Sequence, residues 1–362
     1  MRIRIEKRPA ASGLLLAGTP LLALVLTLLA GVALFAGLGV DAAAALYHIF
    51  IEPFETLSGI GEVLIKAAPL AMIGIGLAIG FRANVWNIGA EGQLTIGAVA
   101  AGGIALAFWD REGVWIMPLM VVAGILGGMA WAAIPAFLKA RFDVSEILSS
   151  LMLTYVAGLL LGALVYGPWK DPDGFNFPQS RMFNESETLS LLVDGTRIHA
   201  GVPVAVLVAV IAFILLERTV LGFEIRVAGL APAAARHAGF SQTRLVWLSF
   251  MISGGLAGLA GMLEVAGPIG QLVPSITPGY GFTAIIVAFL GRLHPLGILA
   301  SGVLMALTYV GGENAQIAVG LPKAATGVFQ GLLLFFLLAS DFLVRYRLRF
   351  RGAVQSQPQA AE

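Results

Sequence analysis

Apolar residues in this chain come in runs of membrane length. A helix crossing hydrocarbon takes about 20 mostly apolar residues. Runs of that kind fall near residues 14–38, 63–81, 87–108, 115–138, 147–166, 201–216, 244–265, 282–291, 296–312 and 323–343. Ten spans place both ends of the chain on one side. The eighth run has only about ten apolar residues between Gly281 and Gly291-Arg292, so it is either short and shielded by neighbours or part of a re-entrant element. The third is interrupted at its start by Arg82-Ala83-Asn84-Val85-Trp86-Asn87-Ile88-Gly89-Ala90-Glu91-Gly92-Gln93. If spans two to five and seven to ten form two halves, the halves have opposite orientation and the interrupted third span corresponds to the interrupted eighth. Broken segments at matching places in inverted halves point to a transport site near the midplane. The predicted fold is an all-α polytopic membrane protein with about ten transmembrane helices, two inverted halves, broken helices and cytoplasmic termini.

Charge tests the count. With the N-terminus inside, Lys and Arg divide into sixteen inside (Arg2, Arg4, Lys7, Arg8, Arg82, Lys139, Arg141, Arg218, Arg226, Arg236, Arg244, Arg292, Arg345, Arg347, Arg349 and Arg351) and six outside (Lys66, Arg111, Lys170, Arg181, Arg197 and Lys323). That asymmetry is the one cytoplasmic loops carry, and losing one span would scramble it. Composition agrees, at 58% hydrophobic and 12% charged. The basic N-terminus precedes an apolar run too long for a signal peptide, so an uncleaved first span is expected. With no cysteine, thiol and disulfide chemistry is excluded, and the four histidines, His48, His199, His237 and His294, have no metal-ligand spacing.

The chain is expected to form one transmembrane domain: a first span and outer interfacial segment (1–62), a core (63–343), a cytoplasmic loop within it (217–243) and a cytoplasmic tail (344–362), polar and disordered after Arg351. Tyr47, Phe50 and Phe54 suit the headgroup level in residues 41–62. Residues 167–200, dense in Pro, Gly and Asp, read as an irregular outer loop able to dock a partner; the sequon Asn184-Glu185-Ser186 within it reads as chance. Glu264, Glu313, Asn314 and Gln316 are expected at the water interface, with Lys66 and Lys323 snorkelling.

Polar groups at membrane depth cost a few kcal/mol each, so they face a cavity, a partner or a solute. Asn87 and Glu91, at i and i+4, share one helix face, which is expected to point into the bundle together with Gln93. Asn84 and Arg82 fall at the cytoplasmic edge, where capping is an equal reading. Ser253-Gly254-Gly255 reads as close helix packing. In the 217–243 loop, Pro232 marks a helix start and Gly239 a C-cap; two short, alanine-rich helical pieces would lie flat on the cytoplasmic face, suited to a groove in another protein.

This loop, the string Asn84–Gln93 and the string Gly281-Phe282-Thr283-Ala284-Ile285-Ile286-Val287-Ala288-Phe289-Leu290-Gly291 resemble the permease subunits of bacterial ABC importers. The likeness is to the ribose and branched-chain amino acid type and its nucleoside or simple-sugar branch, over about residues 60–340. It implies that the loop is the helix that couples to the ATPase, through Arg226, Gly229, Ala234, Ala235 and Gly239; Arg236-His237 is a more basic version of the family pattern. It also implies a substrate path through Asn84, Asn87, Glu91, Gln93, Phe282 and Thr283. No catalytic residue, cofactor, metal or nucleic acid is expected. The implied partners are a separate ABC ATPase subunit, a second permease subunit, an extracytoplasmic substrate-binding protein and membrane lipid, in the bacterial plasma (inner) membrane. No G-x-x-x-x-G-K-[ST] string occurs, so ATP would be hydrolysed by the partner. The alternatives are an ion-coupled secondary transporter with Glu91 as proton carrier, and an ABC permease for branched-chain amino acids.

Overall fold

The computed structural model describes residues 2–7 and 13–351, and is helical almost throughout. The elements are β1 (Arg2–Lys7), α1 (Gly13–Gly37), α2 (Ala42–Phe50), α3 (Leu57–Arg82), α4 (Ala90–Ala107), α5 (Ile116–Phe142), α6 (Glu146–Tyr166) and α7 (Gly201–Arg218). They continue as α8 (Val220–Leu230), α9 (Pro232–His237), α10 (Gln242–Glu264), α11 (Tyr280–Leu290), α12 (Pro295–Val319), α13 (Lys323–Arg345) and β2 (Tyr346–Arg351). Each of the ten predicted spans coincides with a helix. Among the described residues, eight helices are long and apolar enough to cross a membrane.

The chain forms two compact units. One joins Met1–Ala45 to Leu321–Glu362. Within it α1 lies beside α13, the Phe35 and Phe329 rings stack at 6.1 Å, and Gly31 leaves room for the Phe329 ring. Strands β1 and β2 pair antiparallel from Arg2↔Arg351 to Lys7↔Tyr346. No strand was expected in these segments, although Arg-Ile-Arg-Ile and Arg-Leu-Arg-Phe alternate at the period of a strand. The polar tail expected after Arg351 lies outside the described residues.

The second unit, Leu46–Gly320, holds the interrupted elements. Its centre is α3, about 39 Å long, whose best apolar window is 89% buried against α7, α10, α11 and α12. A helix covered by protein all round needs apolar residues on every side, which is how the α3 sequence reads. Helices α4, α5 and α10 cross at glycines. A Cβ on Gly128 would lie 2.1 Å from the Gly254 carbonyl, and one on Gly258 would lie 2.2 Å from that of Gly124, so backbones touch where side chains normally intervene. Helix α6 is the opposite case, with only 17% of its apolar window buried.

The residue 167–200 loop is irregular, as expected, but it is held down. Ser180 Oγ accepts from the Leu272 amide while the Ser180 amide donates to the Leu272 carbonyl, and the Phe183 amide donates to the Gly270 carbonyl. Asn184 of the sequon caps a turn with Glu187 and donates its amide to the Trp109 carbonyl, so its nitrogen is engaged in the fold.

Candidate functional site

Two breaks organise the second unit. The first follows Arg82: Asn84 takes a left-handed φ of 58°, the Val85 amide returns to the Gly80 carbonyl, and residues 85–89 run without regular structure to the start of α4. Asn87 anchors this run. Its Nδ2 donates to Gln93 Oε1 and to Ser253 Oγ, both at 2.8 Å, and its Oδ1 accepts from Gln93 Nε2 and the Gly89 amide. Ser253 is midway along the 23 residues of α10, about 16 Å from either end. Helix α4 therefore begins level with the middle of α10.

The second break runs from Gly270 to Gly279, whose φ angles of 72° and 100° need residues without a Cβ. It delivers α11, which at about 16 Å is too short to cross. Helices α4 and α11 start at the same place. Glu91, in the first turn of α4, accepts from the Gly281 amide at the start of α11 and from Thr277 Oγ1, both at 2.5 Å. A carboxylate at a helix N-terminus meets unpaired N–H groups and the positive end of the helix dipole. Gly281 permits the approach, because a Cβ there would lie 2.2 Å from the Glu91 nitrogen.

Beside this junction is a cavity of about 400 Å³ lined by α4 (Glu91, Thr95), α6 (Thr154, Tyr155, Leu159) and the second break (Ser275, Thr277). Its polar equipment is one carboxylate, several hydroxyls and a phenol; no basic residue lines it.

The residues singled out in the sequence fall into groups. Glu91 lines the cavity. Asn87 and Gln93, 3% and 1% exposed, sit behind it and bond each other and α10. Asn84 is exposed and lines a separate cavity of about 580 Å³ with Lys139, Glu146 and Gln242. Phe282 is partly exposed, while Thr283 is buried and shares a 2.7 Å hydrogen bond with the Tyr309 hydroxyl. Thr277, Ser275 and Tyr155 were not found from sequence; the cluster Pro274-Ser275-Ile276-Thr277-Pro278-Gly279, a broken stretch before a short apolar run, was the available signal.

Glu264 corrects an expectation. It is 9% exposed within α10 rather than at the water interface, near the charges of Lys66 and Arg197. Lys66 pairs with Glu313 at 2.8 Å, and Arg197 pairs with Glu62. Histidine 199, just before α7, is buried; its Nδ1 accepts from the Gly201 amide, and desolvation holds its pKa below the usual imidazole value, with Arg197 adding to this.

The loop between α7 and α10 folds as two short helices. Thr219 caps α8 by accepting from the Gly222 amide, Pro232 opens α9, and Gly239 adopts φ 83° after its end. Ile225, Ala228 and Ala235 pack inward on Ile79, Ala83, Val85 and Phe250. Ala234 and Gly239 face outward with Phe223 and Leu230, which are 58% and 81% exposed. Gly229 rests on the end of α3, and Arg226 pairs with Glu217.

Membrane-length helices, and within the second unit two interrupted helices whose N-termini meet beside a polar cavity, define a multi-pass membrane transport protein. The chain belongs to the family described as branched-chain amino acid transport system / permease component, which matches residues 59–338. It is 37% identical over 358 residues to the glucose ABC transporter permease protein TsgB13 of Haloferax volcanii, covering 96% of this chain and 94% of that one. It is 30% identical to the guanosine ABC transporter permease protein NupP of Bacillus subtilis, over 92% and 97% of the two chains. The nucleoside ABC transporter permease protein NupB of Lactococcus lactis is 28% identical, over 93% and 94%.

Proposed function

We propose that this permease carries neutral polyhydroxylated solutes, nucleosides or simple sugars, through the plasma membrane as the translocating subunit of an ATP-driven importer. The cavity beside Glu91 carries this reading. A carboxylate accepts two hydroxyl hydrogens of a sugar ring or ribose with charge-assisted strength, and Tyr155 offers a ring face. An amino acid would bring its own carboxylate to Glu91 with no lining cation to receive it. The glucose, guanosine and nucleoside permeases among the relatives support the same class.

ATP hydrolysis belongs on this reading to a separate subunit, which docks on the small outward face of α8 and α9 around Ala234. A second permease completes the path along α6, whose apolar face is largely uncovered. A binding protein delivers the solute from outside, where Trp169, Lys170 and Arg181 line a cavity of about 460 Å³ at the outer loop. The termini lie in the cytoplasm, in keeping with the paired β1 and β2 and with the distribution of basic residues.

Proteoliposomes containing the assembled complex and its binding protein test the reading with radiolabelled guanosine, glucose and leucine. Uptake of guanosine or glucose that requires ATP, with no uptake of leucine, is expected. Leucine uptake would overturn the solute class, and uptake driven by an ion gradient without ATP would favour the secondary-transporter alternative.

A further inference from the structure

Arg82 links elements from distant parts of the chain. It is the last residue of α3, next to the first break. Its Nε donates to the Leu293 carbonyl at 3.0 Å, in the turn between α11 and α12 where Arg292 and Leu293 both hold a left-handed φ of 56°. Its Nη1 donates to Glu217 Oε1 at 2.9 Å, near the end of α7. Glu217 Oε2 accepts from Arg226 of α8 at 2.7 Å. The backbone repeats the link, because a Cβ on Gly229 of α8 would lie 1.9 Å from the Arg82 carbonyl oxygen.

An exposed ion pair contributes little and is readily exchanged for water. This one is more sheltered, with the Arg82 and Glu217 side chains 16% and 27% exposed. A guanidinium can hold two acceptors in one plane at a fixed angle, which a lysine cannot. The stacked rings of Phe81, Trp86 and Phe289 join the same two interrupted elements just above, with centroids 4.9 to 6.1 Å apart. A displacement of α8 therefore has a short, stiff route to the start of α4 and to the end of α11.

We propose that Arg82 is the positioning residue through which the cytoplasmic helix pair moves both interrupted elements at once. This rests on the reading of that pair as the docking site for an ATPase, and the wild-type complex tests that reading first. If the wild-type permease does not assemble with the ATPase, or its proteoliposomes take up solute without using ATP, that docking reading itself fails. Where wild type transports, Arg82→Gln and Glu217→Gln are expected to assemble with the ATPase and hydrolyse ATP near the wild-type rate, while solute moved per ATP falls about tenfold. Arg82→Lys, which keeps a charge for Glu217 but lacks the fork that also reaches Leu293, is expected to recover part of that ratio. The proposal is overturned if both glutamine variants keep the wild-type ratio, or if assembly, hydrolysis and uptake fall in parallel. Should Arg82→Gln not assemble, Glu217→Gln decides alone, since it leaves the Leu293 bond in place.

Discussion

Replacing Glu91 by glutamine separates the two roles its carboxylate plays. The amide is nearly the same shape, and its oxygen can still accept from the Gly281 N–H while its nitrogen donates to the Thr277 hydroxyl, which can turn to accept. Both bonds survive, and only their charge assistance is lost, worth about 1 kcal/mol each. The melting temperature of the purified complex should therefore shift by only a few degrees. Solute hydroxyls meet a different group: one accepting oxygen in place of two charged ones. Weakening two such bonds by about 1 kcal/mol apiece raises the apparent KM for guanosine or glucose roughly thirtyfold. Glu91→Ala leaves the Gly281 N–H and the Thr277 hydroxyl unpaired, at about 1–3 kcal/mol each, and should lower the melting temperature markedly. Uptake measured against solute concentration, beside a thermal-shift assay, reads both effects. An unchanged KM in Glu91→Gln with normal stability would refute the assignment of Glu91 to the solute and leave it as a clamp between two helices.

Gly281→Ala should abolish uptake and lower the melting temperature, because its methyl would meet the Glu91 and Ala90 backbone, which cannot move aside as a flexible side chain could; thermal shift and uptake on the same preparation check it. Ala234→Glu should remove co-purification of the ATPase while leaving the permease folded, whereas the neighbouring Ala235→Glu, facing the core, should reduce folded yield instead; intact association in Ala234→Glu would move the docking face elsewhere. His199 predicts a pH dependence of stability. Its folded pKa lies below its unfolded one, so the unfolded chain binds more protons, and stability is full above about pH 6.5 and declines as the pH falls below it. His199→Asn, whose Oδ1 can accept from Gly201 in place of Nδ1, should flatten the melting temperature between about pH 7 and 5.

The ten helical runs were legible because hydrocarbon leaves the backbone no partner but itself, so a run of about 20 apolar residues has one way to be satisfied. The same constraint exposed both irregular elements: a span carrying Asn87, Glu91 and Gln93, and another of about ten residues, cannot be ordinary helices. Gly239 was readable as a cap because its conformation depends on its own missing Cβ and not on neighbours. The terminal strands were present in the alternation of Arg2–Lys7, but the basic residues beside an apolar run drew the reading toward a membrane flank.

Tertiary structure decided which way each polar group turns. The spacing of Asn87 and Glu91 was read as one helix face, but Asn87 lies in the non-helical run before α4 and is turned toward Ser253 of α10, while Glu91, in the first turn of α4, is turned toward Thr277 and Gly281, residues well over a hundred positions away in sequence. Ala234 and Ala235 differ only in which side of a six-residue helix meets Ile79 and Phe250. A hydrogen bond reaches about 3 Å, and chain distance carries no information on that scale once the backbone has crossed the membrane several times. Local sequence thus determined where polar backbone had to be tolerated, and the packing of distant helices determined what that backbone faces.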